Sequence, residues 1–168
     1  TYSYNIADGI DFSAGYSPSE GTAIVDGSMD YGIKYTGMEG LTVYAAMGEN
    51  NDSSNGVDNS ALAVIYATGG LTVGYQVNES DYSTGTSDED FSAIGVSYAV
   101  SDDLSVSLNS STIDFESTTL DDQEATGVSF SYTSGGMTIS GTHSNVDNVG
   151  GTSTTDNSGY EINFKFAF

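Results

Sequence analysis

The sequence predicts an all-β protein, an antiparallel up-and-down transmembrane β-barrel. Three observations predict it. Tyr4, Tyr35, Tyr66, Tyr98 and Tyr132 recur every 31 to 34 residues, each just ahead of a short turn. A repeat of that length fits two strands, one tight turn and one longer return loop. The runs between turns alternate apolar and polar residues, which is the period of a strand with two unlike faces. The polar half of the alternation is Gly, Ser, Thr, Asn and Ala, with almost none of the Lys and Glu that solvent-facing strands carry.

Element by element, the pattern predicts eleven strands in one domain over residues 1–168. They lie near 1–6, 10–17, 28–36, 41–49, 59–67, 71–79, 90–99, 104–114, 124–133, 137–146 and 158–168. The segments YNIADGIDF, YTGMEGLTV, YATGGLTV, YAVSDDLSV and YTSGGMTI each read as strand, tight turn and strand, with Gly or Asp supplying the turn chemistry. In 71–79 Leu71, Val73, Tyr75 and Val77 oppose Thr72, Gly74 and Gln76. In 104–114 Leu104, Val106 and Leu108 oppose Ser105, Ser107 and Asn109; in 124–133 Val128, Phe130 and Tyr132 oppose Gly127, Ser129 and Ser131. The last strand is the clearest, with Tyr160, Ile162, Phe164, Phe166 and Phe168 opposite Glu161, Asn163, Lys165 and Ala167. The remaining connections are long and acidic, near Pro18–Ser28, Glu49–Asn59, Glu79–Asp90, Phe115–Glu124 and Asp147–Ser158. Short turns and long loops alternate along the chain, so they lie at opposite ends of the strands.

Composition excludes several classes. Among 168 residues there are 24 Asp and Glu against 2 Lys and Arg, a formal net charge of −22, which leaves nothing to neutralise a phosphate backbone. Nucleic acid is therefore not a partner. Cysteine is absent, so there is neither a disulfide framework nor a thiolate metal site. A hydrophobic content of 37% with high charge is also the composition of disordered chains, but 12 Tyr, 7 Phe and a regular period argue for strands. A sheet apolar on one face and small and hydroxylated on the other fits a barrel with lipid outside and water inside. The tyrosines before the short turns then form an aromatic girdle, together with Phe168.

The C-terminal run GYEINFKFAF and the repeated Tyr–turn–Leu-Thr/Ser-Val units resemble the outer-membrane general porins of Gram-negative bacteria, of the alphaproteobacterial type, over essentially the whole chain. The resemblance implies an outer-membrane location and a water-filled channel for passive diffusion of small hydrophilic solutes and ions. It implies a homotrimer, contact with membrane lipid and lipopolysaccharide, and delivery to the barrel-assembly machinery through Phe168. It also sets the short turns at the periplasmic side and the acidic loops outside. No cofactor and no enzymatic activity are implied. Barrels of this kind have an even strand number, about sixteen in porins. The eleven strands therefore read as the C-terminal part of a longer barrel. The alternative is a ten-stranded barrel without Thr1–Ile6, acting as an adhesin or structural anchor.

Candidate functional residues follow from the face assignment. Asp30, Lys34, Gln76, Asn109, Glu161, Asn163 and Lys165 are expected to line the pore. Glu79, Asp81, Asp88, Glu89, Asp90, Asp114, Glu116, Asp121, Asp122 and Glu124 are expected in an acidic extracellular rim that favours cations. Clustered carboxylates also suit Ca²⁺, although no loop carries a spaced Ca²⁺-binding motif, and no other metal site is expected. His143, the single histidine, is read as an outward surface residue, since no Ser–His–Asp arrangement accompanies it.

Overall fold

The computed structural model describes residues 1–18, 25–52, 56–83 and 88–167. The described residues form eleven strands: β1 (Tyr2–Ala7), β2 (Ile10–Ser17), β3 (Val25–Met38), β4 (Leu41–Asp52), β5 (Val57–Thr68), β6 (Leu71–Tyr82), β7 (Glu89–Ala99), β8 (Leu104–Phe115), β9 (Gln123–Ser134), β10 (Met137–Asp147) and β11 (Asn157–Phe166). They build one sheet in strict chain order, every neighbour antiparallel. A single 3₁₀ turn, Val149–Gly151, interrupts the connection between β10 and β11. No described helix is long and apolar enough to cross a membrane.

Two expectations need correction. Tyr2–Ala7 pairs with β2 as a strand of the sheet, so a ten-strand count that leaves Thr1–Ile6 outside does not hold. The strands also run further toward the long-loop end than the composition suggested. β3 starts at Val25, β4 reaches Asp52, β5 starts at Val57 and β6 reaches Tyr82. Asp81 and Glu89, expected in a loop, are therefore strand residues, and Glu79, Asp90, Asp114 and Glu124 lie in strands as the expected strand ends already had them. Asp and Glu are poor strand formers in isolation, but an antiparallel ladder extends as long as its neighbour offers backbone partners.

Among the described residues no apolar side chain is buried. Tyr160 is 85% exposed, Met47 63%, Leu108 62% and Phe164 61%. A water-soluble sheet of this size would hide such side chains in a core. Here the backbone ladder supplies the order and the apolar face is left for a non-aqueous surrounding, the arrangement that lipid demands of strands.

The short turns are tied into the sheet by one recurring bond. Thr36 N–H donates to Gly9 C=O at 2.7 Å, Ala67 to Gly40 at 2.8 Å, Ala99 to Gly70 at 2.8 Å, Thr133 to Asp103 at 2.8 Å and Ala167 to Gly136 at 2.7 Å. Each donor follows an aromatic residue, Tyr35, Tyr66, Tyr98, Tyr132 or Phe166, and each acceptor lies in the preceding turn. The sequence repeat thus has a backbone meaning: every hairpin fastens to the turn before it. Gly40 shows why glycine is needed there. Its φ is 75°, and a Cβ would collide with the Ala67 carbonyl oxygen.

Candidate functional site

From β6 to β11 the register carries each face without a shift. One row on the polar face runs Thr72, Ser97, Ser107, Ser129, Thr142, Glu161 from β6 to β11. The next runs Gly74, Gly95, Asn109, Gly127, Ser144, Gly159. Side chains in these rows are small and hydroxylated, and several bond one another. Ser107 and Ser129 hydroxyls lie 2.6 Å apart, and Thr133 and Thr138 hydroxyls 3.0 Å. On the opposite face the row Val73, Val96, Leu108, Val128 is wholly apolar until it reaches His143 and Tyr160.

All seven residues expected in the pore share the polar face. Asp30 sits opposite Gly15 and Gly48, and its carboxylate spreads over Gly15, where a Cβ would strike it. Lys34 faces Asp11 on one side and Tyr44 on the other. Its Nζ lies 5.7 Å from the Tyr44 ring centroid, while Asp11 Oδ1 accepts from Asn5 Nδ2 at 3.0 Å. Gln76 Nε2 donates to Asn78 Oδ1 at 3.0 Å. Asn109 leans over Gly127, where a Cβ would lie 2.5 Å from Asn109 Oδ1. Asn163 Nδ2 donates to Glu161 Oε1 at 2.7 Å, and Lys165 stands opposite Thr138.

The acidic residues separate into three groups. Glu79, Asp81, Asp90, Asp114 and Glu124 alternate onto the apolar face, above its apolar band. Glu89 is on the polar face, opposite Ser80 and Phe115. Asp88 accepts from the Tyr82 backbone N–H at 2.7 Å, and Glu116, Asp121 and Asp122 lie in the β8–β9 connection. Among the described residues no group of three or more His, Asp or Glu side chains gathers as a metal site. His143 is on the apolar face between Val128 and Tyr160, with Nδ1 3.0 Å from the Gly159 carbonyl oxygen.

Tyr4, Tyr35, Tyr66, Tyr98 and Tyr132 all lie on the apolar face toward the short-turn end. Phe166 holds that place on β11, opposite Met137; Phe168 lies outside the described residues.

Sequence reasoning missed a clasp between two connections at the long-loop end. Asp121 N–H donates to Gly151 C=O at 3.0 Å, Asn148 Nδ2 to Asp122 C=O at 3.0 Å, and Gly150 N–H to Gln123 Oε1 at 2.8 Å. Gly151 is buried against Leu120 and the Phe115 ring, and Phe115 belongs to the polar face. The only sequence sign was the adjacent pair Gly150-Gly151, both with positive φ.

A model of the Gram-negative porin family matches residues 1–133. The chain belongs to that family. Its place is the bacterial outer membrane, and its sheet is a stretch of porin barrel wall. Among solved structures it is similar to the anion-selective porin from Comamonas acidovorans, with a TM-score of 0.79 at 13% identity over 99% of this chain and 58% of that one. It is similar to a loop-deletion mutant of OmpT, an outer membrane protein of Vibrio cholerae, with a TM-score of 0.70 at 22% identity over 98% of this chain and 61% of that one. A mutant of the Rh. blastica porin matches with a TM-score of 0.64 at 18% identity, over 84% of this chain and 46% of that one. The chain thus spans about half the length of these porins. No curated protein sequence matches it significantly.

Proposed function

We propose that the chain forms part of the wall of a water-filled outer-membrane channel. The channel passes small hydrophilic solutes and ions by diffusion and prefers cations. The observation that carries this reading is the polar face, with rows of Ser, Thr, Asn and Gly registered from β6 to β11 opposite an apolar one. Short hydroxylated side chains keep water in contact with the wall and leave the lumen wide, whereas a side-chain-filled barrel needs bulk.

The charge balance supports cation preference. Acidic side chains number 24 against two lysines, and Asp11, Asp30, Glu89 and Glu161 share the polar face with Lys34 and Lys165. A wall of net negative charge enriches cations and depletes anions next to it. The Comamonas porin is described as anion-selective, so this chain is expected to differ from it in sign. As in the family, a homotrimer is expected, with lipid and lipopolysaccharide around it.

The test is the reversal potential of purified protein in a planar bilayer under a KCl gradient. A cation-over-anion permeability ratio above one supports the reading. A ratio at or below one overturns the cation preference, and no conductance step at all overturns the channel.

A further inference from the structure

The connections at the long-loop end hold one another, and they do so on the polar side of the sheet. The clasp between the β8–β9 and β10–β11 connections is seated on two side chains of that face. Phe115, the last residue of β8, stands opposite Glu89, and Gly151 packs on its ring. Gln123, the first residue of β9, stands opposite Ile113 and accepts from the Gly150 N–H at 2.8 Å. The 3₁₀ turn Val149–Gly151 therefore leaves β10, passes over β9 and rests on the end of β8, two strand spacings or about 10 Å away.

This connection is one piece. Val149 N–H donates to Thr155 C=O at 2.7 Å, Thr155 N–H to Thr152 C=O at 3.1 Å and Asn148 N–H to Asp156 Oδ1 at 3.2 Å. Asn148 and Thr154 bracket it with φ of 54° and 67°, a conformation that is costly without glycine and persists only where contacts hold it. The seat beneath it is pinned separately, since Glu116 N–H donates to Asp88 C=O at 3.1 Å.

We infer that the clasp is a hinged size filter. Closed, it lays the β10–β11 connection over the lumen side of the mouth and narrows it; open, it lets larger solutes pass. The inference rests on the reading that the polar face lines the channel. Phe115 and Gln123 are positioning residues for the flap. Gly151 lets it lie flat, because a Cβ there would sit 2.8 Å from Leu120 Cβ. Three hydrogen bonds hold the closed form. Water can replace each of them, which leaves the mouth wide about one per cent of the time.

The test is single-channel recording of the purified protein in a planar bilayer with neutral polyethylene glycols of graded size, paired with hydrogen exchange at the Asp121 and Gly150 amides. The unmodified protein is expected to show a main level and a brief larger level of about one per cent occupancy. In Gly151→Ala the larger level rises to about half of the record, and larger polymers enter the channel. Gln123→Ala removes one bond without adding bulk and raises the larger level about fivefold to tenfold. Gly69→Ala bears a similar left-handed cost at the short-turn end, at φ 55° with nothing within 4 Å of the new Cβ, and keeps the unmodified record. Conductance levels and polymer cut-off that stay unchanged in Gly151→Ala and Gln123→Ala, while their amides exchange faster, overturn the inference and leave the clasp purely structural. Amides that stay protected in both variants overturn the hinge. Absence of any conductance step in the unmodified protein overturns the channel reading instead, which separates the two failures.

Discussion

Replacing Gly151 by alanine should open the clasp between the β8–β9 and β10–β11 connections and leave the sheet intact. Three hydrogen bonds close the clasp, at 3.0, 3.0 and 2.8 Å. At about 1 kcal/mol net each they contribute roughly 3 kcal/mol, so the open form is populated about once in a hundred. Gly151 has φ 72°, and a Cβ there would lie 2.8 Å from Leu120 Cβ and 3.1 Å from two Phe115 ring carbons. The left-handed backbone costs an L-residue about 1–2 kcal/mol. The contact with Leu120 is with an atom rooted in the backbone, which cannot swing aside, and such overpacking adds about 1–3 kcal/mol. The sum matches or exceeds what the clasp contributes. Hydrogen exchange should therefore accelerate about a hundredfold at the Asp121 and Gly150 amides, with strand amides in β8 to β10 unchanged. Gly150→Ala is the internal control. Its φ is 64° but nothing lies within 4 Å of the new Cβ, so only the backbone cost applies and the acceleration should be about tenfold. Equal effects in the two variants, or loss of protection spreading into Val106–Asn109, would refute the reasoning.

Further outcomes follow from the polar wall. Lys34→Glu and Lys165→Glu each make the wall more negative, and the reversal potential should move further toward the cation side. Tyr44→Leu removes the ring beneath the Lys34 ammonium, a contact worth about 0.5–1 kcal/mol, so thermal unfolding should fall by a few degrees at most. Gly127→Val pushes the Asn109 amide off the wall. Because only the end of that side chain must move, stability should change by less than about 1 kcal/mol, while single-channel conductance changes measurably. Ser107→Ala together with Ser129→Ala removes one half-buried hydrogen bond, about 0.5–1.5 kcal/mol, and should leave conductance within error.

The strands were legible because lipid and lumen impose period two along most of each strand. Tyr98, Val96 and Ile94 alternate with Ser97, Gly95 and Ala93, and no tertiary contact overrides that pattern. The long-loop ends were misread because composition resembles loop there. Asp81 and Glu89 look like loop residues, yet each has a backbone partner waiting on the adjacent strand. The division of the acidic residues between faces depends on register, which sequence spacing alone could not fix across loops of unequal length. The clasp was illegible for a different reason. Gln123, Asn148 and Gly151 are up to 28 residues apart, and their bonds depend on how two connections fold over one another.

The bond that ties each turn to the following hairpin has an evolutionary and engineering corollary. Because donor and acceptor both belong to the short-turn end, a unit of about 31 residues begins and finishes at the same height. Duplicating or excising one such unit, from Tyr66 to Ser97 for example, would add or remove two staves without disturbing the fastening of any other. The wall is therefore tileable, and its circumference can change in even steps through unequal recombination between repeats, with every remaining joint re-formed by the same pair of backbone atoms.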